Sequence, residues 1–119
     1  MANIRPVPLT IPITDVSTAQ SVTVAITDDM AGKITQVKSC LSRNISNRNF
    51  DTKVTVQKNS TVLGTITIQG SGSAMGDIDT LDITGLTAGE VKSGDYIALI
   101  CDGVTTIAAG AMFTVNIMR

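Results

Sequence analysis

Histidine is missing from this sequence, and with it the side chain that most often moves protons or binds metals near neutral pH. A Ser, Thr or Cys nucleophile would then need Lys or a carboxylate as its base. No GxSxG, SxxK, HExxH, P-loop or dinucleotide fingerprint gathers such a group, so no enzyme is expected. Tryptophan is absent too, and only Phe50, Tyr96 and Phe113 are aromatic, which leaves little to stack on bases or sugars. Nine basic against ten acidic residues give a net charge of -1 and no bulk attraction to nucleic acid. No run approaches the roughly 18 apolar residues of a membrane span. The opening MANIRPVPLTIPITD is interrupted by Pro6, Pro8 and Pro12 and lacks a small-residue cleavage site, so it makes a poor signal peptide. A soluble protein made in the cytoplasm is expected, with neither nucleic acid nor membrane as a partner.

Cysteine is scarce as well. Cys40 and Cys101 each lie in an apolar stretch and are read as buried free thiols, with a disulfide between strands as the alternative. Without histidine to join them, neither a metal nor a catalytic role follows. DIDTLD brings Asp77, Asp79 and Asp82 close together, but a calcium loop of the EF-hand kind would need an oxygen ligand where Leu81 stands and a glycine where Asp82 stands. A solvated strand edge is expected there, and no cofactor. The sequons at Asn44 and Asn59 are read as loop chemistry.

What the chain does have is alternation. Leu9, Ile11 and Ile13 alternate with Thr10, Pro12 and Thr14; Val22, Val24 and Ile26 alternate with Ser21, Thr23 and Thr27; Ala111, Phe113, Val115 and Ile117 repeat the pattern at the far end. Period two marks half-buried strands. Eight are predicted, near 7–14, 20–27, 33–41, 51–58, 61–69, 78–84, 95–101 and 110–118. Ile34 and Val37 cannot face the same way in a regular strand, which predicts a bulge near Thr35 and Gln36. The stretch from Tyr96 to Cys101 is apolar on both faces and suits a central strand covered on both sides. Asp28, Asp29 and Gly32 mark one turn, Asn59 with Ser60 a tight hairpin, and residues 85–94 a longer link. No helical period competes. A chain of this length buries roughly 65% of its unfolded surface in one core, so a single all-β domain is expected: an eight-stranded antiparallel jelly-roll-like β-sandwich over 15–119, preferred to an immunoglobulin-type sandwich. Residues 1–14 form a proline-bearing arm or edge strand.

Charge is unevenly placed. Lys33, Lys38, Arg43, Arg48, Lys53 and Lys58 form a basic block with one acid, Asp51; Asp77, Asp79, Asp82, Glu90, Asp95 and Asp102 form an acidic block with one base, Lys92. The blocks either face each other within one molecule or meet across a boundary between chains. On the last strand Met112, Thr114, Asn116 and Met118 point outward if Phe113, Val115 and Ile117 point in, and two outward methionines suit a face covered by another chain.

The order of AGKITQVKSCLS after a DD turn, TVLGTITIQGSGSAMGDIDT, VKSGDYIALICDG and a terminal GAMFTVNIMR resembles the small jelly-roll decoration, or cement, proteins of tailed bacteriophage capsids, over Gln20 to Arg119. That resemblance implies a structural protein of the virion, made in the host cytoplasm. It would sit on the outer surface of the capsid between copies of the major capsid protein, as a homodimer or homotrimer. Docking is then expected from the arm, Asn3, Ile4, Arg5, Pro6, Val7, Pro8 and Leu9 onward to Ile13. Arg43 and Arg48 of the RNISNRN loop would make directed hydrogen bonds to carboxylates, and Met112 and Met118 would supply apolar contact. The alternative is a head-fibre, tail or receptor- and glycan-binding β-sandwich module of a virion.

Overall fold

The computed structural model describes residues 6–42, 51–68, 74–83, 89–103 and 109–118. Its strands are β1 (Pro6–Ile13), β2 (Gln20–Ala25), β3 (Gly32–Leu41), β4 (Thr52–Lys58), β5 (Thr61–Ile68), β6 (Ile78–Asp82), β7 (Glu90–Val91), β8 (Tyr96–Cys101) and β9 (Ala111–Met118). A single 3-10 turn, Asp28–Met30, separates β2 from β3. Each of the eight expected segments holds a strand. The count among the described residues is nine, because β7 pairs over two residues with Gly32 and Lys33 of β3.

The strands make two antiparallel sheets, one ordered β1-β9-β3-β6 with β7 also on β3, the other β2-β8-β4-β5. The pairs nest: β4 with β5, then β3 with β6, β2 with β8 and β1 with β9. The chain therefore runs out and back on itself like one long hairpin. Pairing of β3 with β9 and of β4 with β8 then folds that hairpin into the two sheets.

One core lies between them. Ile11, Ile13, Ile34, Val37, Phe113, Val115 and Ile117 face in from the first sheet, and Val54, Val56, Ile66, Ile68, Ile97, Leu99 and Cys101 from the second, all at 3% exposure or less. The mostly β-branched residues at these positions are stiff in the conformations a strand requires. Burying each aliphatic side chain contributes about 1.5–3 kcal/mol. The arrangement is that of a β-sandwich.

The expected bulge exists. Register with β9 shifts between Ile34 and Gln36, which sets Ile34 and Val37 on the same face. Its consequence corrects one expectation: after the shift Val37, Ser39 and Leu41 point inward, so Cys40 points outward and is exposed, while Cys101 is buried. Another expectation also needs correcting. β8 is central, between β2 and β4, yet its outer face is only partly covered among the described residues: Tyr96 is 37% and Ile100 38% exposed, while Ala98 between them is buried.

β1 is an edge strand, paired along its whole length with β9. Its prolines at 6, 8 and 12 are spaced by even numbers, so their missing N–H groups fall on one lateral side. The ladder to β9 uses the other side, and the prolines blunt the open edge. The link after β1 is tied to the core from within: Thr52 Oγ1, fully buried, donates to Val16 O at 3.0 Å, and Val16 N donates to Ala109 O at 2.8 Å.

Candidate interaction surfaces

Register arranges the outer face of the first sheet in rows. Pro12, Met112, Cys40 and Ile78 are neighbours across β1, β9, β3 and β6. All four are exposed, Met112 at 46% and Ile78 at 63%. Met75, 69% exposed, lies in the adjoining turn, where Gly76 N donates to Leu41 O at 2.7 Å. A shallow pocket of about 170 Å³ opens between Lys38, Cys40, Ile78, Met112 and Thr114. The next rows are polar: Thr10, Thr114, Lys38 and Thr80, then Pro8, Asn116, Gln36 and Asp82. Pro12, Met112, Cys40 and Ile78 make a contiguous apolar row on an otherwise polar sheet face.

At the other end of β9 a cleft of about 800 Å³ is lined by Gly32, Lys33, Lys58, Asn59, Glu90, Val91, Lys92, Asp95 and Met118. The basic and acidic blocks meet here within one chain. Lys33 stands opposite Glu90 in the ladder, and Lys58 Nζ donates to Glu90 O at 2.8 Å. Asp95 accepts from Asn59 Nδ2 at 3.1 Å and from Lys92 N at 3.0 Å. The Asn59 amide first, then the Lys92 N–H, hold its carboxyl below the usual aspartate range. Beyond the cleft Asp102 Oδ1 accepts from the main-chain N–H of Lys53 at 3.1 Å, a contact made by the backbone and not by the lysine charge.

Asp79 differs from Asp95. It faces Ser39 across the β3–β6 ladder, and burial first, then the neighbouring Asp77 charge, push its carboxyl up. Asp77 Oδ2 instead accepts from Ala74 N at 2.8 Å and closes the turn before β6. Among the described residues no three Asp, Glu or Cys side chains gather as metal ligands.

Only some of the residues expected to dock are described, and those lie in β1 and at the two ends of β9. Asn3, Ile4, Arg5, Arg43 and Arg48 lie outside the described residues. Pro6, Val7, Pro8 and Leu9 belong to β1, opposite Met118, Ile117, Asn116 and Val115. Pro8 is exposed, whereas Leu9 is half-buried against the core. Met112 and Met118 both face outward but at opposite ends of β9, so Met112 joins the apolar row and Met118 the cleft. At about 3.4 Å per residue they are roughly 20 Å apart along the strand. Cys40 and Ile78 were not singled out as contact residues, because only the pairing of β3 with β6 puts them beside Met112.

No family model matches the chain, and no curated protein matches it.

Proposed function

We propose that the protein is a capsid decoration, or cement, protein of a bacteriophage, which binds the outer surface of the assembled head between major capsid proteins and stabilises the shell. The observation that carries the proposal is the exposed row Pro12, Met112, Cys40 and Ile78, a strip suited to an apolar seam. A jelly-roll topology is supported by the two sheet orders and by the nesting of the pairs outward from the β4–β5 hairpin. In this role the chain catalyses nothing and needs no cofactor; its partners are the major capsid protein and further copies of itself.

The mechanism is additive contact. A rigid body across a seam adds its own contacts to those that must break before capsid subunits separate, and binding to the closed lattice alone stabilises it by mass action. Copies joined to one another gain avidity, since the second contact is effectively intramolecular. The test is saturation of emptied, undecorated heads, pelleted and counted for bound chain. Saturation at a fixed ratio to capsid subunits is expected for the native chain and a large loss of binding for Met112→Lys with Ile78→Lys; native chain left in the supernatant at every salt concentration overturns the proposal.

One observation favours the alternative of a head-fibre, tail or receptor-reading module. The cleft beside Met118 carries Lys, Asn, Glu and Asp side chains with the donors and acceptors that a glycan requires. A glycan screen decides between the two.

A further inference from the structure

The open edges of the two sheets are not equally protected. β1 carries prolines on its free side, and β6 is five residues long with Asp79 and Asp82 in it. In the second sheet β2 is six residues long, but β5 is eight, TVLGTITI, without a charge or a proline. β5 ends the sheet order, so among the described residues only β4 pairs with it. An edge of this length and composition presents a row of backbone donors and acceptors that templates pairing with another chain. A bulge opposite Val56 and Gln57 disturbs its first residues; from Gly64 to Ile68 the register is unbroken.

The face that borders this edge is also unusual in its charge. Thr65, Thr55, Ile100 and Ser21 form one row across β5, β4, β8 and β2, and Val62, Gln57, Ala98 and Thr23 form the next. Lys53, opposite Thr67, is the one ionisable group of β4 on that face; Lys58, paired with the buried Ile97, turns to the other side and lines the cleft. Val62 is 56% exposed.

We infer that β5 pairs with β5 of a second copy of this chain, antiparallel about a two-fold axis beside Ile66, so that the two four-stranded sheets become one sheet of eight. The occupant is a second copy because the edge is its own complement. Two-fold antiparallel pairing satisfies both free edges by one operation, and an uncharged strand meets its copy with no like-charge repulsion. The side chains agree with that register: with Ile66 on the axis, Thr65 lies opposite Thr67 of the partner subunit and Thr67 opposite Thr65 of the partner subunit. Both are outward positions, and threonine pairs across a ladder are favourable. Closure by a two-fold also leaves the protected β1 edge and the short β2 edge as the outer limits of the pair.

This inference names the interface for the self-association proposed above and rests on that part of the reading, not on capsid binding. Light scattering is expected to give the mass of two 12.4 kDa chains for the native protein. Thr65→Lys with Thr67→Lys sets four like charges along the seam and is expected to weaken the pair more than about 100-fold. Thr23→Lys, on the other edge, leaves the pair intact. In the native protein, amide exchange across residues 64–68 slows as concentration rises. A single-chain mass at all concentrations, exchange that ignores concentration, or a folded Thr65→Lys, Thr67→Lys variant that still pairs each overturns the inference. Heads separate the two claims: a monomer that saturates them removes the seam and keeps fastening, whereas a β5-paired dimer that never binds them does the reverse.

Discussion

Asn59 Nδ2 donates to Asp95 Oδ1 at 3.1 Å, joining the tip of the β4–β5 hairpin to the turn that enters β8. The contact is reciprocal in its backbone: Tyr96 N donates to Asn59 Oδ1 at 3.1 Å, and Asn59 N donates to Tyr96 O at 2.9 Å. Asn59 reaches this position with φ of 56°, a left-handed conformation that Asn tolerates better than most residues. Asp95 O in turn accepts from Ile26 N at 2.7 Å, so one residue pair ties β2, β4 and β8 at one end of the second sheet.

Asn59→Gly keeps the left-handed backbone and deletes both side-chain hydrogen bonds. It is expected to lower unfolding free energy by about 1–3 kcal/mol, read from urea denaturation. Asn59→Ala is expected to cost more, since it adds backbone strain to the same loss. Equal stability of Asn59→Gly and the native chain would remove the clamp from the account.

Acid is expected to destabilise the protein in a way that depends on this clamp. Asp95 is held low by Asn59 and Lys92, and Asp15 by the Ser17 hydroxyl and N–H. The unfolded chain therefore binds protons more readily than the folded one. The stabilisation is complete above the ordinary aspartate value of 3.8 and is lost as pH falls through the lowered folded values. Unfolding midpoints from neutral to strongly acidic pH are expected to fall, and Asn59→Gly to fall less. Parallel curves would show that Asp95 does not contribute.

Asp79 has the opposite sign. Its carboxyl is pushed up by burial and by Asp77, so its folded form is favoured while protonated, and that advantage is lost as pH rises through the raised value. Asp79→Asn is expected to raise stability at neutral pH and to flatten the pH profile above 3.8. A less stable variant at neutral pH would contradict this.

The two thiols are expected to react at very different rates. Cys40 lies exposed in the apolar row; Cys101 is buried, its thiol pushed up by that burial and its Sγ directed at Val16 O at 3.6 Å. One equivalent of a thiol reagent should add at once, and the second only with unfolding. Protection of Cys40 by bound heads, with free labelling in solution, would place the apolar row at the docking seam.

Gly103→Ala is expected to destabilise the fold more than an ordinary surface change. Gly103 has φ of 68°, and a Cβ there would run into the backbone of Ala19. Its cost, read as a lowered melting temperature, checks the close approach of the β8 exit to the β1–β2 link.

Much of the fold was legible because alternation is a local property. Phe113, Val115 and Ile117 fall on one face whatever their neighbours do, and Ile34 with Val37 betrays a bulge through spacing alone. β7 was missed because two residues carry no period; β3 alone makes them a strand. Cys40 was misplaced because it was judged by its apolar neighbours in sequence; counted from Val37 after the bulge, alternation turns Ser39 and Leu41 in and Cys40 out.

The sequence by itself determined that this protein is built of strands, where the eight longer ones run and which side chains of the alternating segments share a face, because a pleated strand sends consecutive side chains to opposite faces. It also shows no histidine and no GxSxG, SxxK, HExxH, P-loop or dinucleotide fingerprint. Tertiary structure alone decided which strands are neighbours. That choice gathered Pro12, Met112, Cys40 and Ile78 into one row, parted Met112 from Met118, closed Asn59 on Asp95 and left β5 as an edge. Contacts of this kind join residues tens of positions apart, and no local pattern encodes them, because they follow from how the long hairpin folds back across itself.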